Sequence, residues 1–414
     1  MTFCANIETR KYHLRLFLNV NEFNYIFTEL LLIYISRLLP KKVANFSKIA
    51  KKIKEKSFLW HFYSVILGNI TIFYYFCKKK LMFIGERFES ISLMRVMAMT
   101  MIVLFHSFLF YTGTWWVFGG IVVPVWVKVA KFLDSIDLSM FVFISGFLYG
   151  YLYLYKGKYR DIRTFLSSKV RRLLIPYLFW GFFVVILPPS PFDWKILFVG
   201  SAHLWFLLML FWLFCFSIIA VKFLGKIDAK AFCLFFFLLY FVWLIHYKFS
   251  SHHSFLCLES ALSNSLIFII GMVCAKMQIW LKPLKPSIVI SLMSIMALFI
   301  YIFFVPTFED IIDNLVLRIL SYTFIVNLFI VLTKLHLSSV WNVFVNSIDK
   351  MSMGIYIFNQ FVVNALLLVP EINYWLVHNY IIGPLVIFVI SFFIPLCLSY
   401  LFNINRNLSW TIGG

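Results

Sequence analysis

Residues 92–110 read SLMRVMAMTMIVLFHSFLF. Inside this apolar run stand one arginine, Arg95, and one histidine, His106, with ten residues between them. Insertion scales assign roughly 2.5–3.5 kcal/mol to a cation at the centre of a membrane helix, so a charge kept there is usually kept for function. At ~100° per residue, a separation of eleven closes about three turns and sets both side chains on one helix face. The rise between them is ~16 Å, about half of a ~30 Å hydrocarbon core. One face therefore presents a cation near one membrane surface and a titratable imidazole deep in the bilayer.

The rest of the chain agrees with a membrane solvent. Of 414 residues, 63% are hydrophobic and 13% charged, against about 25% charged in soluble domains. Mean hydropathy is +0.92. The net charge of +20 invites a nucleic-acid partner, but the positive residues cluster between apolar runs, as in cytoplasmic loops of membrane proteins. That pattern argues against nucleic acid. None of the seven cysteines forms a CxxC pair, and Cys215, Cys233, Cys274 and Cys397 lie inside apolar segments. They read as small packing residues, not as a disulfide framework or zinc site. His252, His253 and Glu259 are weak evidence for a metal. No metal is expected.

Ten apolar segments follow from Ser92 onward, at about 93–110, 138–155, 173–187, 203–221, 231–247, 260–275, 288–305, 315–333, 353–369 and 381–402. The expected fold class is an all-α polytopic membrane protein, about ten transmembrane helices in one bundle. The loops set its orientation. Lys156, Lys158, Arg160, Arg163, Lys169, Arg171 and Arg172 stand against Asp161 alone between the second and third segments. Lys222, Lys226 and Lys230, then Lys276, Lys282 and Lys285, then Lys334 and Lys350 fall on the same side if ten helices alternate. Glu309, Asp310, Asp313 and Glu371 fall on the other. The positive-inside rule makes both ends of the unit cytoplasmic. Arg95 is then at the cytoplasmic end of the first helix, with His106 toward the outer half.

Residues 1–81 stand apart. Phe58–Phe76 is apolar enough to span, but Lys41–Lys56 and Lys78–Lys80 flank it with positive charge on both sides. A single span would put one cluster outside, against the rule. Two readings stay open: a basic interfacial extension, or translation starting at Met82. The domain unit is residues 82–414. No short apolar run with a small-residue cleavage site opens the chain.

Glu86–His106 (ERFESISLMRVMAMTMIVLFH) resembles the opening of the acyltransferase-3 family of membrane acyltransferases, which begins with Arg, ten residues and His in its first helix. Four further stretches match in order: Asp137–Gly150 (DLSMFVFISGFLYG), Arg163–Tyr177 (RTFLSSKVRRLLIPY), His203–Leu207 (HLWFL) and Ser352–Gln360 (SMGIYIFNQ). The resemblance runs over residues ~82–402, and the chain is similar to the polysaccharide O-acetyltransferases of that family. Asn359 stands where many members have His, and Ser92 where the usual Asp precedes the Arg. No catalytic role is assigned to position 359.

The resemblance implies transfer of an acyl group, usually acetyl, from cytosolic acetyl-CoA as co-substrate to a hydroxyl of a cell-surface or lipid-linked glycan, in the inner (plasma) membrane, surrounded by lipid. No tightly bound cofactor is implied. A hydroxyl needs a positioned base to attack a thioester, and a neutral His106 suits that role. Arg95, Arg163, Lys169, Arg171 and Arg172 are on the side where CoA phosphates arrive, and the guanidinium fork suits phosphate. The alternative for Arg95 is an anchor that snorkels to the headgroups; for His106, a packing histidine. His203 lines the acceptor mouth or packs with Trp205. Asp137 orients a histidine or faces water. The rival functional class is a polysaccharide transporter, flippase or glycan polymerase. Transporters often show internal repeats and paired broken helices, and no repeat is visible here. A polymerase would be expected to carry a long external loop, and Tyr111–Asp137 is the longest found.

Overall fold

A computed structural model describes residues 89–115, 120–157, 161–186, 195–200, 202–224, 229–249, 255–279, 284–305, 310–405 and 407–413. The extension 1–81 lies outside the described residues. The helices are α1 (Glu89–Leu109), α2 (Pro124–Asp134), α3 (Asp137–Gly150), α4 (Ile162–Lys169), α5 (Ile175–Ile186), α6 (Lys195–Val199), α7 (Trp205–Leu224), α8 (Ala229–Phe249), α9 (Leu258–Ser263), α10 (Ser265–Lys276), α11 (Leu284–Phe304), α12 (Asp310–Leu332), α13 (Ser339–Leu367), α14 (Pro370–His378) and α15 (Gly383–Ile404). Beside the helices, an isolated bridge pairs Thr112 with Val122. The protein is an all-α polytopic membrane protein.

Each of the ten apolar segments falls on helix, but not each is a whole span. Among the described residues six helices are long and apolar enough to cross a membrane. A seventh candidate is the pair α13 and α14, bent by 92°. The shortfall from ten has local causes. The segment 260–275 is divided at Asn264 into α9 and α10, the third segment continues a helix that runs from Ile162 through a π turn at Val170–Leu174 into α5, and of 231–247 only Leu234–Ile245 counts as an apolar helix. The connection Tyr111–Asp137 is also not a plain loop. Pro124 starts α2 at a position where its missing N–H costs nothing, and α2 packs back on α1.

Breaks follow from sequence chemistry. Val369 precedes Pro370 and is extended, with φ −85° and ψ 112°. The proline ring excludes α geometry for the residue before it, so the bend falls there. Asp161 caps α4 by accepting from the backbone amides of Arg163 at 3.1 Å and Thr164 at 3.3 Å.

Lipid removes most of the hydrophobic drive between helices, so close approach through small residues matters more. The α3–α10 crossing shows this. A Cβ at Gly146 would lie 2.0 Å from the Phe268 carbonyl oxygen, and one at Gly271 would lie 2.3 Å from that of Phe143. Around these glycines Phe143, Phe147 and Phe268 are fully buried. Helix α1 is central, packing against α2, α3, α12, α13 and α15, with Met94, Ala98, Met99, Ile102 and Val103 buried.

Candidate active site

Helices α1 and α13 run parallel, and polar rungs join them. Asn342 donates to Glu89, Arg95 to Asp349, and His106 meets Asn359, at sequence separations of 253, 254 and 253 residues. A constant offset over this length means that the two helices keep register. The Arg95–His106 face inferred from periodicity is thus the face turned to α13.

At the first-predicted position, Arg95 Nη1 is 2.6 Å from Asp349 Oδ1. The Ser92 hydroxyl donates to the other carboxylate oxygen at 2.9 Å. The Arg95 side chain is 27% exposed and that of Asp349 only 3%. The carboxylate is closed in, while the guanidinium keeps an open edge. Arg95 is therefore not a bare cation in lipid, because Asp349 neutralises it.

Eleven residues on, His106 Nδ1 lies 2.7 Å from Asn359 Oδ1. Asn359 is fully buried, and its Nδ2 donates to the Ser391 carbonyl at 3.2 Å. The amide oxygen can only accept, so Nδ1 of His106 is the donor. In the neutral ring the lone pair is then on Nε2. His106 is half-buried. The buried Trp115 ring stands edge-on to it at 6.4 Å, with its indole N–H held by Asn364 at 3.0 Å.

His203 reaches the same stretch of α13. Its backbone amide donates to Gln360 Oε1 at 3.0 Å, its Nε2 donates to the Ile357 carbonyl at 2.8 Å, and the Tyr356 hydroxyl donates to its own carbonyl. Its other ring nitrogen, Nδ1, is buried with no partner. The short 3₁₀ turn that carries it, Ala202–Leu204, begins with Ala202 at φ +40°, a left-handed conformation that a Cβ disfavours. Residues 356–360 of α13 thus hold both histidines.

The other expected site residues are elsewhere. Asp137, 2% exposed at the start of α3, takes the backbone N–H of Leu138, and no hydrogen bond joins it to either histidine. Arg163, Arg171 and Arg172 are exposed around a π-helical turn at Val170–Leu174. Lys169 departs from them. Its ammonium is 3.9 Å from the Phe214 ring centre and 5.2 Å from that of Phe165. Burial, with the nearby Arg172 charge, pushes it down to about 8 from the usual 10.5. A shallow groove lined by Leu234, Phe237, Ile270 and Val273 is apolar and separate from these groups.

Sequence reasoning missed Asp349, Ser391 and Gln360, and set Asn359 aside. A signal existed for Asp349. It is an acid within a long apolar helix, which is a site by default, but the span was read as beginning at 353 and left it in a loop.

An imidazole with a fixed Nδ1–H and a lone pair on Nε2 can take a proton from a hydroxyl, as acyl transfer to an alcohol requires. The acyltransferase-3 family model, described as an acyltransferase domain, matches residues 88–404. Comparison with curated proteins gave no match, and neither did comparison with solved structures. Five sequence motifs in order, a bundle with α1 at its centre and a match over most of the chain converge: this chain belongs to the acyltransferase-3 family and is a membrane acyltransferase.

Proposed function

We propose that the protein transfers an acetyl group from cytosolic acetyl-CoA to a hydroxyl of a cell-surface or lipid-linked glycan, in the inner (plasma) membrane, with His106 as general base. The observation that carries this reading is the Nδ1 bond to Asn359, which leaves Nε2 as the basic nitrogen. Nε2 takes the hydroxyl proton as the oxygen attacks the thioester carbonyl. The tetrahedral intermediate collapses, the C–S bond breaks, and the imidazolium returns its proton to the departing thiolate. The products are an O-acetyl ester and free CoA, and His106 is regenerated. The exposed Arg163, Arg171 and Arg172 suit the CoA phosphates. The unpartnered Nδ1 of His203 suits a hydrogen bond from the acceptor.

The test is transfer of labelled acetyl from acetyl-CoA to surface glycan, in a deletion strain complemented with each variant. His106→Ala is expected to lower acetylation by ~10²–10⁴ with membrane abundance nearly unchanged. Normal acetylation with His106→Ala would end this mechanism.

A further inference from the structure

A helical carbonyl ordinarily receives the N–H of the residue four positions later. For Ser391 in α15 that residue is Pro395, which lies inside the helix and has no N–H to give. The Ser391 carbonyl takes a hydrogen from Asn359 Nδ2 instead, at 3.2 Å, from a helix 32 residues earlier in the chain. This bond decides which way the Asn359 amide lies. With its NH₂ turned to α15, its oxygen faces α1, 2.7 Å from His106 Nδ1. Turned over, the amide would offer NH₂ to Nδ1. Nδ1 would then have to accept, and the ring proton would move to Nε2. An imidazole with Nε2–H has no lone pair there for a hydroxyl proton.

We propose that Pro395 is a positioning residue that selects the Nδ1–H tautomer of His106 by freeing the Ser391 carbonyl for Asn359. The surroundings leave this bond little competition: Ser391 and Asn359 are both 0% exposed, so water does not replace either partner. The chain of influence is one missing hydrogen in α15, one amide orientation in α13 and one proton position in α1. It rests on the reading of His106 as the base.

The experiment uses the full-length protein in lipid bilayers with ¹⁵N-labelled histidine. Protonated and unprotonated ring nitrogens resonate apart, and the His106 signals are those lost in His106→Gln. Wild type is expected to show Nδ1–H alone. Pro395→Ala supplies the N–H that Ser391 lacks, so both tautomers are expected, with kcat lower on the order of tenfold and KM for acetyl-CoA unchanged. Asn359→Asp offers acceptor oxygens whichever way it lies. On that background Pro395→Ala is expected to change neither the tautomer nor kcat. A wild-type ring protonated on Nε2 overturns the proposal. So does a Pro395→Ala protein that keeps Nδ1–H alone, or one whose kcat falls equally on the Asn359→Asp background. Mixed tautomers with undiminished kcat would uphold the relay and remove His106 as the base.

Discussion

Arg95 and Asp349 form an ion pair at 2.6 Å between parallel helices, across 254 residues of sequence. The pair makes the most expensive residue of α1 tolerable in the membrane. It also ties α1 to α13 about three turns before His106 meets Asn359.

Removing either partner should therefore cost more than removing both. Arg95→Ala leaves a closed-in carboxylate, for which buried pairs lose up to about 3–5 kcal/mol. The open edge of Arg95 lowers that figure. A double-mutant cycle with Arg95→Ala and Asp349→Ala, read by thermal stability in detergent, should give a coupling of about 1–3 kcal/mol. Strict additivity would mean that the pair contributes nothing. Arg95→Lys keeps the charge, so stability should hold. If the open guanidinium edge also contacts CoA phosphate, acetyl-CoA binding weakens in the same variant; unchanged binding confines Arg95 to its partner.

Lys169 lies outside the candidate spans and should give a pH signature. Its folded value, about 8, is below its usual 10.5 because burial disfavours the charge. Between those values the unfolded chain holds a proton that the folded chain has released. Stability from this residue therefore rises with pH from about 8 to 10.5 and is flat below. Lys169→Met should remove that rise and raise the melting temperature at pH 7. An unchanged pH profile would mean that the Phe214 ring offsets the burial by holding the ammonium.

The α3–α10 crossing should be intolerant of a single methyl. Gly271→Ala puts a carbon where the Phe143 carbonyl already sits, so the helices must part. Overpacking of this kind costs about 1–3 kcal/mol or more. Monodisperse protein recovered from detergent should drop sharply for Gly146→Ala and Gly271→Ala. Wild-type recovery of both would show that the crossing is wider than described.

Topology is testable by single-cysteine labelling with an impermeant reagent. Lys222–Lys230 and Gly414 should be protected in intact cells and Glu309–Asp313 accessible. Labelling of the Lys222–Lys230 loop from outside would sink this arrangement.

Much was decided by sequence alone. Composition and run length dictate helices in lipid, because only helices and closed barrels satisfy their backbone hydrogen bonds there and long continuous apolar runs suit the helix. The eleven-residue spacing dictates that Arg95 and His106 share a face, since that follows from 3.6 residues per turn and needs no partner. Short-range chemistry also marks the Val369–Pro370 bend. What faces those residues is another matter. Asp349 and Asn359 stand 254 and 253 residues from their partners in α1, Ser391 lies further on still, and no local rule sets the register between α1 and α13. Asn359 looked like a lost histidine. Only the fold shows that its amide is read on both sides, by the Ser391 carbonyl that Pro395 leaves open and by the His106 ring. The same holds for Lys169, whose loop reads as a uniform basic patch until the Phe214 ring of a distant helix comes within 3.9 Å of its ammonium. Helix existence and facing are local properties of a chain; partners, tautomer and burial depend on which helices pack together, and only tertiary structure decides that.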